Sequence, residues 1–300
     1  MYNGIINIHK EAGFTSHDVV AKMRGILKQK KIGHTGTLDP QATGVLPVCL
    51  GSGTKLCDML TDRDKEYVAE LLLGVTTDTQ DMTGKVLSQH DVVCGEAQVR
   101  EAAESFVGAY DQVPPMYSAL KVDGKKLYEL ARAGKEIERS ARRVEIKELE
   151  ILDLSLPVVK MRVVCSKGTY IRTLCADIGE KLGCGGAMQS LVRTRVGGFR
   201  LEDAITLAEL ERLRDEGRVE ESVVAVDQVF AECPALHVQE SFERLLENGN
   251  AIKPLQTVES MQYAEEQLVR FYRADGSFAG VYAYRQEKQC YQPVKMFLER

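Results

Sequence analysis

The sequence predicts an α+β fold. Three observations carry this expectation. Strand-like and helix-like segments are mixed without the regular strand–helix alternation of a parallel α/β sheet. Two of the helical segments, 15–28 and 169–182, each show a single apolar stripe, as helices packed on one side do. From about residue 234 the pattern changes to short strands and turns, which predicts a small β-rich module at the end of the chain.

The elements follow in order. Residues 4–8 read as a short strand. Residues 15–28 read as a helix: Thr15 and Ser16 suit its cap, and Val19, Val20, Met23, Ile26 and Leu27 share one face. Residues 33–44 form a glycine-punctuated loop, and 45–50 a compact apolar run ended by Gly51-Ser52-Gly53. Residues 65–74 alternate as a strand does, 76–84 form a polar loop, and 96–107 read as a helix. The segment 110–143 opens near Pro114-Pro115 and is studded with Lys121, Lys125, Lys126, Arg132, Lys135, Arg139, Arg142 and Arg143, so it reads as an excursion from the core. Two strands are expected at 144–154 and 158–165. After the turn Ser166-Lys167-Gly168 comes a helix over 169–182, buried along Ile171, Leu174, Cys175, Ile178 and Leu182. A further helix over 206–215 starts at Thr206, with Glu209 at the capping-box position. In the tail, Ala274-Asp275-Gly276 marks a turn.

Composition narrows the function. The 300 residues carry a formal charge of −5, which argues mildly against a polyanionic partner. The distribution argues otherwise. Residues 1–200 hold 28 basic and 25 acidic side chains, whereas 201–270 hold 6 and 16, so the acidity is concentrated and the rest can present a basic face. Eight cysteines include no C-x-x-C pair, and with five scattered histidines no zinc site is expected. Buried thiols in a reducing compartment are the simple reading. No signal-like N-terminus and no long apolar run is present, so a cytoplasmic location is expected.

The densest chemical signal is Gly33-His34-Thr35-Gly36-Thr37-Leu38-Asp39-Pro40, continuing through Ala42-Thr43-Gly44-Val45-Leu46-Pro47. Pro40 biases Asp39 towards extended backbone. A carboxylate on such a loop suits a nucleophile or a general base. It suits equally a turn in which Asp39 caps backbone N–H groups, and residue types alone do not separate the two. Gly51-Ser52-Gly53-Thr54-Lys55 lacks the G-x-x-x-x-G-K-[ST] spacing, which excludes a Walker-type NTPase. Arg172 opens a helix, the wrong end of the macrodipole for a cation, at a cost of a few tenths of a kcal/mol. A carboxylate partner would offset that; the commoner alternative is a solvated arginine. Tyr67 in a strand is ordinarily a core or edge residue, and His34 in a loop ordinarily a hydrogen-bonding one.

Taken together these residues resemble the TruB family of pseudouridine synthases, which isomerise uridine 55 in the T-arm of tRNA. The resemblance runs along nearly the whole chain: residues 4–10 and 14–20, the motif at 33–47, Lys65-Glu66-Tyr67, 74–81, 114–121, 124–134, 165–172, Leu191-Val192-Arg193-Thr194-Arg195 and 197–199. One departure is Lys10-Glu11, where family members often carry Lys-Pro.

The resemblance implies a pseudouridine-synthase fold: a mixed, largely antiparallel sheet with flanking helices in a catalytic domain at 1–230. Within it, 110–143 would be a thumb-like RNA-binding insertion, and 234–300 a PUA-like RNA-binding module. It implies Asp39 as the catalytic aspartate, Arg172 as its partner, holding its pKa down, and Tyr67 as the tyrosine stacking on a flipped base. His34, Tyr170 and Leu191 match substrate-pocket positions, and Lys125, Lys126 and Arg132 are expected to contact RNA backbone. Neither cofactor nor metal is implied. The expected partner is the T-arm stem-loop of tRNA, bound by a monomer with no obligate protein partner and no membrane. Two other readings compete: a tRNA-folding chaperone without catalysis, and a guide-RNA-dependent enzyme of the dyskerin type.

Overall fold

In the computed structural model residues 1–122 and 124–298 are described, with Lys121 and Lys126 described by their backbone alone. Strand β1 (Gly4–Lys10) leads to helix α1 (Ser16–Leu27), then β2 (Ile32–His34) and β3 (Thr43–Leu50). Thr15 and Asp18 exchange side-chain-to-backbone bonds, which starts α1, and Lys28 in the left-handed region ends it. Its buried residues include the five expected from the periodicity. The region expected as loop over 33–44 is shorter in fact, because Ile32, Gly33 and His34 pair with Leu50, Cys49 and Val48.

Helix α2 (Cys57–Thr61) and strand β4 (Lys65–Leu73) follow, then a hairpin of β5 (Val75–Thr77) and β6 (Val86–Gln89), helix α3 (Glu96–Glu104) and β7 (Gly108–Gln112). The chain then runs through β8 (Lys121–Val122), β9 (Lys125–Lys126) and α4 (Leu127–Arg132) before β10 (Arg142–Ser155) and β11 (Val158–Cys165). Gln112 and Arg142 face each other across β7 and β10, so residues 110–112 and 142–143 lie in the main sheet. The excursion is therefore 113–141. Strand β7 was hidden in the sequence because its alternation is only five residues long.

Helix α5 (Ile171–Lys181), strands β12 (Gly186–Val196) and β13 (Phe199–Arg200) and helix α6 (Leu207–Asp215) complete this part. Thr206 and Glu209 form the expected capping box of α6. The main sheet runs β1-β3-β12-β4-β11-β10-β7, with β2 beside β3 and β13 beside β12. Its neighbours are antiparallel except β12 and β3, which run parallel where Arg193 meets Gly44. Strand β4 lies centrally and buries every second residue from Lys65 to Leu73, which points Tyr67 into the core. The fold is thus α+β with a mixed, largely antiparallel sheet.

The remaining chain, β14 (Ala235–His237), α7 (Glu243–Glu247), β15 (Leu268–Tyr272), β16 (Phe278–Arg285) and β17 (Cys290–Met296), makes a four-stranded sheet over its own apolar core. A turn at Gly276 links β15 to β16. Val281 and Phe297 of this part join Ile5, Cys49, Leu56 and Leu60 in one buried cluster, which fastens it to the main sheet. No helix among the described residues is long and apolar enough to cross a membrane.

The parallel joint between β3 and β12 depends on Gly44. Its φ is +107°, and a Cβ there would lie 2.2 Å from the Arg193 carbonyl oxygen. Gly44→Ala is expected to lower the unfolding free energy by at least about 3 kcal/mol in urea titrations, from backbone strain and overpacking together. Gly198→Ala, where a Cβ meets nothing within 4 Å, is the control and should change it little.

Candidate active site

Between β2 and β3 the chain crosses the sheet end in a loop, residues 35–42, that carries Asp39. About half of its backbone groups are tied to other elements. Thr35 N–H donates to Pro47 O (3.2 Å), and Thr35 O accepts from the Thr61 hydroxyl of α2 (3.0 Å). Leu38 N–H donates to the Ser16 hydroxyl (2.9 Å). Pro40 O accepts from Gly13 N–H (2.9 Å) and from Lys10 Nζ (3.0 Å), and Ala42 O accepts from Lys10 Nζ (2.6 Å). Arg193 completes the frame: Nε donates to Val45 O (2.7 Å), Nη2 to Gly36 O (3.3 Å) and Nη1 to Thr37 O (3.5 Å). Leu38 and Ala42 anchor the loop in the apolar cluster that contains Tyr67 and Leu191.

Asp39 faces Arg172 at the start of α5, with Oδ1 3.5 Å from Nη2. Arg172 is buried, 5% exposed, so the solvated alternative does not hold. Its other side faces Asp81, with Nη1 3.8 Å from Oδ2, and Nη2 donates to Tyr117 O (2.6 Å). Tyr170, expected in the first helical turn, is instead the extended residue before it. Gln112 of β7 takes up both its backbone groups, accepting from Tyr170 N–H (2.8 Å) and donating to Tyr170 O (3.0 Å). Asp81 is placed by the turn between β5 and β6: its Oδ1 accepts from Thr83 N–H (2.9 Å) and the Thr79 hydroxyl (2.8 Å). Backbone bonds between Gln80, Met82 and Met188 dock that turn on β12.

The electrostatics differ from expectation in one respect. Arg172 does pull the Asp39 pKa down, but burial outweighs it and Asp81 adds repulsion, so the pKa is raised above the ordinary aspartate value. The carboxylate is open on one side, 35% exposed, and enclosed by protein on the others. Lys10 is fully buried, and burial brings its pKa down to about 8 against the pull of Asp39. Burial, with His17 and Arg193 nearby, holds His34 down at about 4, so it is neutral at pH 7. Gly36 N–H donates to His34 Nδ1 (3.3 Å), which places the ring proton on Nε2.

Tyr67 is buried beside the Asp39 loop, its pKa raised by burial, and its phenol lies near the Arg193 guanidinium, which draws that pKa back down in part. Leu191 lies in the same cluster, and the Tyr170 ring sits 5.8 Å from the Arg172 guanidinium. The structure therefore brings Asp39, Arg172, Tyr67, Tyr170, Leu191 and His34 to one end of the sheet. Lys125 and Arg132 are exposed on the excursion, Arg132 against the Tyr128 ring, and the side chain of Lys126 lies outside the described residues. Three residues of the site were not singled out from sequence as site residues: Lys10, Asp81 and Arg193. The available signal was their position inside the quoted motifs; what each one touches is set by tertiary packing.

A carboxyl whose folded pKa is raised costs stability as pH rises from its unfolded value through its folded one. Asp39→Asn is therefore expected to be more stable than the parent at pH 7.5. The advantage should shrink as pH falls towards about 4, the ordinary aspartate value. Thermal melts of both proteins across that range measure it.

With this geometry in view, comparison with known proteins is direct. Residues 24–171 match the family model of the TruB family pseudouridylate synthase N-terminal domain, and residues 172–232 that of the tRNA pseudouridylate synthase B C-terminal domain. The chain is 52% identical to the tRNA pseudouridine synthase B of Lachnoclostridium phytofermentans over 308 residues, covering 99% of this chain and 100% of that one. It is 42% identical to the enzyme of the same name from Bacillus pumilus, covering 99% and 98%. Among solved structures it is similar to a chain of a Cbf5-Nop10-Gar1 complex, with 27% identity and a TM-score of 0.74 over 99% of this chain and 85% of that one. The chain belongs to the TruB family of pseudouridylate synthases.

Proposed function

We propose that this protein converts uridine 55 in the T-arm of tRNA to pseudouridine, with Asp39 as the nucleophile. The observation that carries the reading is the pairing of Asp39 with Arg172 on a loop whose backbone is fixed from five directions, in a chain of this family. The reaction breaks the bond from ribose C1′ to N1 of uracil, turns the base, and joins C1′ to C5. The C5 proton leaves to solvent and N1 gains one, so no electrons are exchanged and no group is supplied.

Each residue has a part in that scheme. Burial leaves the Asp39 carboxylate less stabilised than in water, which favours its attack on the nucleoside, and Arg172 offsets part of that cost. The uracil must leave the T-loop stack, at a cost of a few kcal/mol. Tyr67 and Leu191 form the apolar wall that receives it, Tyr170 borders the pocket over Arg172, and neutral His34 fills space beside the flipped nucleotide. Lys125, Lys126 and Arg132 on the excursion meet phosphates as a thumb, and the module at 234–300 adds a PUA-like RNA surface. The protein works as a monomer in the cytoplasm without guide RNA or protein partner, a reading supported by relatives named as tRNA enzymes that match over their full length.

Purified protein alone should release tritium from tRNA transcript labelled at C5 of uridine. Asp39→Asn should abolish release while keeping tRNA affinity within about tenfold, or 1.4 kcal/mol. Turnover by that variant would remove Asp39 from its role. Tight binding without release would favour a chaperone or an enzyme missing its guide. Neutralising Lys125, Lys126 and Arg132 together should weaken tRNA binding and flatten its salt dependence by about two to three counterions. An unchanged slope would take the thumb off the phosphate.

A further inference from the structure

Cys49 and Cys57 stand out among the chemistry-bearing groups that the proposed reaction does not use. Cys49 lies in β3 directly across from Gly33 of β2. The vacant Cβ position of Gly33 is 3.2 Å from Cys57 Sγ at the start of α2. Paired residues on neighbouring strands project to the same face, so Gly33, having no side chain, leaves room for the two thiols to meet. Each thiol is close enough to act on the other: the Cys49 pKa is pushed up and the Cys57 pKa drawn down, with Lys295 contributing to the latter. Cys49 is fully buried, whereas Cys57 is partly exposed, so the more acidic thiol is also the accessible one.

The pair is linked to the Asp39 loop. Helix α2 runs from Cys57 to Thr61, whose hydroxyl donates to both Cys57 O (2.7 Å) and Thr35 O (3.0 Å). Lys65 Nζ holds Thr61 O (2.5 Å). A movement of Cys57 therefore reaches the backbone four residues before Asp39.

We propose that Cys49 and Cys57 are an oxidation site at which a peroxide forms an intramolecular disulfide, drawing α2 towards β3 and displacing the Asp39 loop. The Cys57 thiolate attacks one peroxide oxygen and becomes a sulfenic acid as the first water leaves. The Cys49 sulfur then displaces the second water, so two thiols lose two electrons and two protons and the peroxide yields two waters. The bonded sulfurs sit about 2.05 Å apart, well inside the contact distance of two unbonded sulfurs, and closing that gap pulls the start of α2 towards β3. Displacements of about 1 Å near reacting groups can cost a hundredfold in rate.

The test treats reduced, full-length protein with dilute hydrogen peroxide, alkylates the remaining thiols, and maps the peptides by mass. Hydrogen exchange of the 35–42 amides is followed in parallel. The expected result is a Cys49–Cys57-linked peptide, faster exchange across 35–42, and reversal of both by dithiothreitol. Cys94 and Cys184, both buried, should remain alkylatable after denaturation. Cys57→Ser, checked for a parent-like melting temperature, should show no peroxide-induced change in exchange. Should that variant not fold, Cys49→Ala serves in its place. Free thiols at both positions after treatment, or a linked peptide with unchanged exchange, would overturn the proposal. A tenfold or greater loss of tritium release on oxidation is expected as well. That readout rests on the pseudouridylation proposed above, whereas the peptide and exchange readouts do not.

Discussion

A guanidinium buried at the first turn of a helix is doubly disfavoured, by desolvation and by the helix dipole, and must be met by negative charge. Arg172 is in that position, and two carboxylates come to it from separate loops. Asp39 arrives from the connection between β2 and β3, Asp81 from the turn between β5 and β6. The arrangement requires α5, β12 and both loops to be in register at once. Thr173, next to Arg172 on α5, donates to the Gln80 side chain (2.7 Å), which ties helix and turn directly. Burial, with the repulsion of Asp81, outweighs the pull of Arg172, and the net result for Asp39 is a carboxyl harder to ionise than in water.

The second layer of the site is made of buried cations that bind carbonyl oxygens. Lys10 holds Pro40 and Ala42, Arg193 holds Gly36, Thr37 and Val45, and Lys65 holds Thr61 and Arg63. Each binds several carbonyls at once; a buried carbonyl left without a donor costs about 1–3 kcal/mol. Burial lowers Lys10 and Lys65 to about 8, so both remain largely protonated at neutral pH. The loop thus gains rigidity without a carboxylate beyond Asp39 and Asp81 at Arg172. A reacting group fixed in this way on a supported loop needs little reorganisation when substrate enters.

Much of this was legible in the sequence. The stripe of α1, the capping boxes at Thr15 and Thr206, and the alternation of β4 follow from local periodicity and short-range hydrogen bonding. The argument that a carboxylate would offset Arg172 was physical; that the carboxylate is Asp39 came from the resemblance. What was not legible depends on packing. Asp81 looks like one acid in a polar turn until Gln80 and Met82 dock it against Met188. Lys10 ends a strand and is ordinary until Pro40 and Ala42 close over it. The direction of the Asp39 pKa was misjudged because a partner's charge can be inferred from a motif, while the degree of enclosure cannot. Strand β7 was concealed by its shortness, and its sole clue, buried Gln112, acts through a bond to Tyr170 that is distant in sequence.

The central claim is that burial and an arginine shared with Asp81 together set the charge of Asp39. The pH dependence of single-turnover pseudouridine formation in the parent and in Asp81→Asn tests it most directly. Removing the Asp81 charge takes away a repulsion and leaves Arg172 to Asp39 alone. The acid limb of the rate profile should therefore move to lower pH in the variant. An acid limb that stays in place, or moves to higher pH in a variant with parent-like folding and tRNA affinity, would contradict the account.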